Sequence, residues 1–179
     1  ALLTSCSKDK CTTTFTYQVY EPVYMDYAQL RQSVASEAPR SLDNPGKIYV
    51  FGSYLFVNEV NEGVHVIDNS DPASPVNKAF INIPGNVDIA VQGSVLYADS
   101  YVDLVALDIS NPENATETKR LENIFPQRIW DLGYYYGDPE KGVVVSWDLT
   151  DKTETVEVPC GEEAQTYYYY NYYGGFEGD

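Results

Sequence analysis

The single histidine is the residue of this chain best suited to act as a catalytic base. His65 stands in a run of Val and Ile residues, and Asp68 follows three positions later. Ser-His-Asp catalysis also needs an activated nucleophile, and the sequence contains no G-x-S-x-G elbow. Neither a P-loop nor a G-x-G-x-x-G motif occurs. We therefore expect a histidine that is packed or hydrogen-bonded within a strand, no catalytic residue, no cofactor and a protein that is not an enzyme.

Three clustered aspartates are the best candidates for binding a metal ion. Asp88, Asp99 and Asp103 lie close together in the sequence, and Ca²⁺ is bound in proteins by carboxylate and carbonyl oxygens. The D-x-[DN]-x-[DN]-G pattern of a calcium loop is missing from the sequence. Zinc is disfavoured because the chain has one histidine and no C-x-x-C pair. We expect no metal site.

Three other aspartates recur at a fixed interval. Asp68, Asp108 and Asp148 are each 40 residues apart, and each stands where an apolar run meets a polar turn. An aspartate in this position can cap the turn by accepting hydrogen bonds from the following backbone N–H groups. A catalytic centre occurs once in a protein, so a residue that recurs in every copy favours a structural role.

These aspartates belong to longer internal repeats. The segment Gly63-Val-His-Val-Ile-Asp-Asn-Ser-Asp-Pro72 returns as Asp103-Leu-Val-Ala-Leu-Asp-Ile-Ser-Asn-Pro112. A weaker third copy ends with Val143-Val-Val-Ser-Trp-Asp-Leu-Thr-Asp151. A period of about 40 residues with several short strands in each unit is typical of the blades of a β-propeller.

The repeats predict an all-β fold. The pairs Gly52-Ser53 and Gly93-Ser94 each stand between two apolar runs, which indicates a two-residue hairpin turn. In the third copy we expect strands at 127–136, 143–149 and 153–158. We predict a β-propeller-like array of about three ~40-residue, four-stranded blades over residues 44–160, which is an incomplete propeller, with one short N-terminal α-helix.

The N-terminal residues indicate where the protein is located. Leu3-Thr-Ser-Cys6 is similar to a bacterial lipobox, in which the cysteine is lipidated and becomes the mature N-terminus. Residues 1–5 would then be the remnant of a signal peptide, and residues 6–24, which are rich in Thr and Tyr, a lipidated tether. The alternative is a free cysteine. Because Ser7, and not Asp, follows Cys6, we expect a lipid-anchored protein of the cell envelope at the outer membrane, periplasmic or surface-exposed.

Residues 25–43 are predicted to form a short helix and a lead-in to the repeats. Tyr27, Leu30 and Val34 have near-helical spacing, and Asp26 is suited to cap the N-terminus. We expect the helix to end before Pro39 and to pack on the first blade or its rim. The alternative is a helix that binds a partner protein.

Two further segments leave alternatives open. Cys11 and Cys160 either form a disulfide in an oxidising envelope or remain separate thiols. Residues 161–179 form a Tyr- and Gly-rich tail of low complexity, whose aromatic rings are too many to be buried together. Stacking on sugar rings is the functional alternative for this tail.

The net charge of −16 excludes some partners. Binding to nucleic acid needs clustered Lys and Arg, and so does electrostatic docking on anionic lipids. We expect no nucleic-acid partner. The acidity favours a role in solubility over an acidic binding face.

The repeat segments resemble a known family. The two strings that end at Pro72 and Pro112, together with Ile83-Pro-Gly-Asn-Val-Asp-Ile-Ala-Val91, resemble the N-terminal half of LVIVD-repeat lipoproteins of Bacteroidetes-type bacteria. The resemblance covers roughly residues 20–160 and implies propeller blades on an envelope lipoprotein, but no particular activity. Members of this family are about twice as long, so we expect an incomplete chain, and the alternative is a three-blade partial array or an assembly between chains.

Two functions follow as expectations. The first is a non-enzymatic scaffold whose repeats bind a protein partner at the cell envelope. The second is a surface accessory protein that binds a glycan or another ligand. A propeller hydrolase would need a single non-repeating polar cluster, and the sequence offers no good candidate for one.

Overall fold

A computed structural model of the chain describes residues 10–126 and 138–160. The chain divides into two compact units. Residues 10–21 and 147–160 are the described part of one unit, and residues 22–126 and 138–146 are the described part of the other.

The described residues form eleven β-strands, one α-helix and one 3-10 turn. The strands are β1 (Lys10–Met25), β2 (Ala35–Glu37), β3 (Pro45–Phe51), β4 (Tyr54–Glu59), β5 (Gly63–Asp68), β6 (Val76–Asn82), β7 (Ile89–Gln92), β8 (Val95–Ser100), β9 (Asp103–Asp108), β10 (Thr116–Leu121) and β11 (Val143–Pro159). The helix is α1 (Tyr27–Gln32), and the 3-10 turn is Pro112–Asn114. None of the described helices is long and apolar enough to cross a membrane.

The first repeat folds into one antiparallel sheet. Its strands lie in the order β2-β6-β5-β4-β3, so that the short strand β2 extends the four strands of the repeat at one edge. The hairpin at Gly52-Ser53 is confirmed, because Phe51 pairs with Tyr54 across it. Gly52 has φ +58°, a conformation that is easy for glycine and strained for other residues.

The second repeat forms a four-stranded antiparallel sheet in the order β10-β9-β8-β7. Its hairpin at Gly93-Ser94 is also confirmed, with Gln92 opposite Val95. Both repeats contain, between their third and fourth strands, the turn that the recurring aspartates predict. The Oδ1 atom of Asp68 accepts the N–H of Ser70 at 2.9 Å, and that of Asp108 accepts the N–H of Ser110 at 2.8 Å.

The main hydrophobic core lies between these two sheets. Phe56 and Val66 of the first sheet and Leu96 and Leu107 of the second are completely buried in it. Burial of a side chain of this size stabilises the folded state by about 1.5–3 kcal/mol. Neither sheet can cover its apolar face alone, so the two repeats fold as a stacked pair.

The third copy does not fold as predicted. Residues 143–149 and 153–158 belong to one continuous strand, β11, which pairs with β1. Asp148 is followed by Thr150 and Lys152, where the other copies have Ser and Pro. Without the proline that ends hydrogen bonding in a strand, the chain has no local reason to turn here. The expected strand at 127–136 falls outside the described residues.

The segment before the repeats also differs from its prediction. Residues 10–24, interpreted as part of a tether, lie in strand β1, and their side chains alternate between exposed and partly buried positions. Its Thr, Tyr and Val residues are types that favour strands. The thiols of Cys11 and Cys160 form a disulfide with a Cα–Cα distance of 4.9 Å. Cys6 and the tail at 161–179 lie outside the described residues.

The short N-terminal helix is confirmed, together with its cap. The Asp26 carboxylate accepts the N–H of Gln29 at 2.8 Å, and Leu30 is buried against Val102 and Val143. The helix ends at Gln32, before Pro39 as expected, and it leaves out Val34 because the following residues Ala35–Glu37 join the first repeat sheet as β2. Backbone pairing with β6 therefore prevails over the helical spacing of Val34.

Candidate functional site

His65 and Glu59 form a buried pair in the first repeat. The side chain of His65 on β5 is completely buried, and its Nε2 atom lies 3.0 Å from Oε2 of Glu59. Its Nδ1 atom lies 3.4 Å from the amide nitrogen of Asn77. The imidazole ring also packs edge-on against Phe80, with ring centroids 4.8 Å apart. The expectation of a packed and hydrogen-bonded histidine is confirmed.

The other contacts of Glu59 attach the lead-in segment to the sheet. Its carboxylate accepts the backbone N–H groups of Asp43 and Asn44. Burial raises the pKa of Glu59, but the hydrogen bonds from Asn44, His65 and Asp43 outweigh this effect and hold the pKa below its usual value. The Arg40 guanidinium covers the buried pair from outside, with its Cζ atom 3.4 Å from the centroid of the Phe80 ring. These contacts position residues 40–44 rather than a reacting group.

Asp103 is the centre of a second buried polar cluster. Its carboxylate is completely buried and accepts hydrogen bonds from Arg31 Nε at 3.1 Å, Arg120 Nη1 at 3.1 Å and the backbone N–H of Asn123 at 2.9 Å. Burial raises the pKa of Asp103, but the hydrogen bonds from Arg31, Asn123 and Arg120 outweigh it, so the pKa is lower than usual. This one carboxylate ties helix α1 to strands β9 and β10.

The three clustered aspartates use three different sets of partners. Asp88 forms an ion pair with Lys47 at 2.7 Å, and Asp103 is held by the arginines described above. Asp99 Oδ1 accepts the N–H groups of Val87 and Asp88, each at 2.9 Å. A calcium ion would have to compete with these contacts, and the described residues contain no group of three or more His, Cys, Asp or Glu side chains arranged to hold a metal ion.

Asn86 is a structural residue that the sequence analysis missed. Its side chain accepts a hydrogen bond from Asn58 of the first repeat and donates one to Asp99 of the second at 2.9 Å. Asn58 and Asp99 occupy the same position in the two repeats. That shared polar position, on a strand face that is otherwise apolar, was the signal available in the sequence.

The two repeats pack through opposite faces. We call the face of the first sheet that packs on the second repeat the leading face, and the face of the second sheet that it contacts the trailing face. Each repeat has both faces, and the equivalent face of the other repeat takes the same name. Leading-face positions of the first repeat are Tyr49, Phe56, Asn58, Val64 and Val66, and trailing-face positions of the second are Ile89, Val91, Leu96, Ala98, Val105 and Leu107. Equivalent residues are 41 positions apart up to β8, as in Leu55 and Leu96, and 40 apart from β9 onwards, as in His65 and Val105.

Two of these faces are partly open, although Val57 and His65 on the trailing face of the first repeat are buried. Ile48 and Val50, on the trailing face of the first repeat, are 61% and 66% exposed, whereas their equivalents Ile89 and Val91 pack in the core. The leading face of the second repeat carries Ala90, Tyr97, Asp99, Leu104 and Ala106 at exposed or half-buried positions. An open hollow lies over this face, and Ala90, Tyr97, Leu104 and Phe125 are among the residues that line it. Contiguous apolar surface of this kind marks interaction sites.

The pattern of strands and turns is matched by one family model. The model of the LVIVD repeat matches residues 45–82 and 85–122. The chain carries two LVIVD repeats. The first begins with β3 and ends with β6, and the second begins before β7 and ends just after β10, so each LVIVD repeat supplies four strands of one sheet. No curated protein and no solved structure matches the chain.

Proposed function

We propose that this chain is a bacterial cell-envelope lipoprotein, held at the outer membrane through a lipid on Cys6. Its LVIVD repeats would be blades of a β-propeller that acts as a non-enzymatic scaffold for protein interaction. The lipobox-like residues Leu3 to Cys6 support the anchor, and the stacked four-stranded repeats support the propeller.

The manner of stacking supports propeller blades over a closed two-sheet sandwich. The leading face of one repeat packs on the trailing face of the next, so the contact joins two different surfaces. Such a contact leaves one leading and one trailing face free, and the same contact can be repeated in both directions. The open Ile48 and Val50 at one side and Ala90 and Tyr97 at the other agree with this arrangement.

The observation that carries the scaffold proposal is the open leading face of the second repeat. Tyr97 and Leu104 lie on it half-buried, beside Phe125, which is 38% exposed. Half-exposed aromatic and aliphatic side chains around a hollow are typical of protein-binding surfaces. The polar side chains best suited to chemistry, His65, Glu59 and Asp103, are instead engaged in holding the N-terminal segment to the repeats.

A face-specific capture experiment tests the scaffold. The native protein and an Ala90→Lys variant would be purified from mildly solubilised outer membranes, and co-purifying proteins would be identified by mass spectrometry. We expect a stoichiometric partner that is lost with Ala90→Lys and kept with the matched control Val76→Lys, since Val76 is 52% exposed away from the open leading face. Partners that remain bound to Ala90→Lys would contradict the proposed site.

The anchor is tested separately. A Cys6→Ala variant cannot carry the lipid, so it should move from the membrane fraction to the soluble fraction. A Cys11→Ala variant is the control, because Cys11 forms a disulfide with Cys160 and lies outside the lipobox-like motif. Unchanged membrane retention of Cys6→Ala would refute the lipid anchor without bearing on the scaffold.

Glycan binding is the second candidate, and the hollow favours it in one respect. Tyr97 and Phe125 line it together with the carboxylates of Asp88 and Asp99. Aromatic rings with a few polar groups are a suitable lining for a small polar ligand. A glycan array on the purified chain tests this candidate, and binding should fall with Tyr97→Ala if the hollow is the site.

A further inference from the structure

We propose that the open leading face of the second repeat binds the open trailing face of the first repeat in a second copy of this chain. The copies would then associate head to tail through the same contact that joins the two repeats within one copy. This inference deepens the proposed scaffold role and rests on it, because it names the partner of the open faces.

The contact within the chain is the template. Tyr49 of β3 packs against the core at β7, and its hydroxyl donates a hydrogen bond to the carbonyl of Val91 at 3.3 Å. In the contact between copies, Ala90 would occupy the position that Tyr49 occupies in the contact within the chain, because the two residues are repeat equivalents. Similarly, Ile48 and Val50 replace Ile89 and Val91. At these positions the open faces therefore offer apolar side chains, as the buried contact does.

Sizes on the two faces are complementary. Ala90 is smaller than its equivalent Tyr49, and the hollow is lined by Ala90 together with Tyr97 and Leu104. Ile48 and Val50 project from the open trailing face as the two most exposed large apolar side chains of the described residues. A β-branched side chain of this kind can fill the hollow, which would remove both apolar surfaces from water.

Charges on the two faces are complementary as well. Within the chain, Lys47 of the first repeat pairs with Asp88 of the second at 2.7 Å. Lys47 and Asp88 are repeat equivalents, so the contact between copies would bring Asp88 of one copy towards Lys47 of the next. Opposite charges therefore meet again at this position, and this local attraction acts against the general repulsion between two chains of net charge −16.

The lead-in segment defines how much of the trailing face is available. Residues 40–44 cover Phe80 and the Glu59–His65 pair near β5 and β6. They leave Ile48 and Val50 on β3 open, and β3 is the strand that meets β7 within the chain. Contacts between two different faces generate rings when the rotation closes.

Sedimentation velocity on the full 179-residue chain over a range of concentrations tests the inference. We expect the mass to rise with concentration to a small multiple of 20.1 kDa. Ala90→Lys blocks the leading face and Val50→Lys blocks the trailing face, and each should weaken association roughly a hundredfold or more because a lysine is too long for a position that is buried in a close apolar contact. Val76→Lys is the matched control and should associate normally.

Mixing the two blocked variants gives the decisive result. An Ala90→Lys copy keeps an intact trailing face and a Val50→Lys copy keeps an intact leading face, so the mixture should form a dimer that neither variant forms alone. Thermal unfolding of each variant confirms that it is folded. A wild-type chain that stays monomeric at all concentrations, or a mixture without dimers, would overturn the inference. If a different protein is still captured through Ala90 in that case, the scaffold role stands and only self-association is wrong.

Discussion

Removing the Asp103 carboxylate should destabilise the protein more than any exposed charge substitution. In Asp103→Asn, the completely buried carboxylate that accepts from Arg31, Arg120 and the Asn123 N–H becomes a neutral amide. Arg120, whose side chain is only 8% exposed, then loses its completely buried partner and keeps only Glu117, which is 24% exposed, as a counter-charge. Breaking a buried ion pair by removing one partner costs about 3–5 kcal/mol. At about 2–4 °C per kcal/mol for a chain of this size, the melting temperature should fall by about 6–20 °C.

The assay is thermal and urea unfolding followed by circular dichroism, with Asp88→Asn as the matched control. Asp88 undergoes the same chemical change, but its side chain is 69% exposed and its ion pair with Lys47 should contribute at most about 1 kcal/mol. Arg31→Met in the wild-type and the Asp103→Asn backgrounds completes a double-mutant cycle. We expect a coupling free energy between Arg31 and Asp103 of about 1 kcal/mol or more. A loss below about 1 kcal/mol for Asp103→Asn would refute the role of this carboxylate as the link between α1 and the second repeat.

Three further changes give distinct outcomes. Gly63→Ala should lower the free energy of unfolding by several kcal/mol, because φ is +145° and the added Cβ would lie 2.1 Å from a backbone carbonyl of β6. Gly52 has open space around it, so Gly52→Ala should cost much less in the same urea titration. Reduction of the Cys11–Cys160 disulfide should lower the melting temperature in calorimetry, since the bond closes a loop whose chain entropy corresponds to at most about 5 kcal/mol. The folded-state pKa of Glu59 lies below its usual value of 4.5. The stability that this carboxylate contributes is therefore complete above pH 4.5 and is lost as the pH falls through the lower, folded-state pKa. An acid titration monitored by fluorescence should show this loss, and in Glu59→Gln this part of the pH dependence should disappear.

The features that the sequence predicted well are those that a few neighbouring residues determine. The hairpins at Gly52 and Gly93 depend on a positive φ that glycine adopts easily. The turns after Asp68 and Asp108 depend on a carboxylate that reaches the N–H two residues later. Such contacts are local, so the residue types alone indicate the structure.

The features that the sequence did not predict depend on contacts between distant residues. Strands β1 and β11 pair across more than a hundred residues, and the Thr- and Tyr-rich composition of β1 resembles that of a polar linker. The continuous strand β11 could have been anticipated from one local fact, because Lys152 stands where Pro72 and Pro112 end the other copies. The partners of Asp103 could not, since Arg31 is 72 residues away.

Comparison of the two repeats explains why the N-terminal segment belongs to the fold. Where the repeats differ, the first has Gly63 and His65 and the second has Asp103 and Val105. His65, with Glu59, holds the lead-in segment, and Asp103 holds helix α1.

The positions that stack one repeat on the next keep their apolar character in both copies. Ile48 and Ile89 are one such pair, and Leu55 and Leu96 are another. Ile48 is nevertheless 61% exposed. The exposed part of an isoleucine side chain does not stabilise the folded state, because it is not removed from water. Burial of this exposed surface, at a position that matches a buried stacking residue, is what the proposed association between copies would add. The repeat-specific polar residues therefore serve the folding of this chain, and the shared apolar ones point to its association.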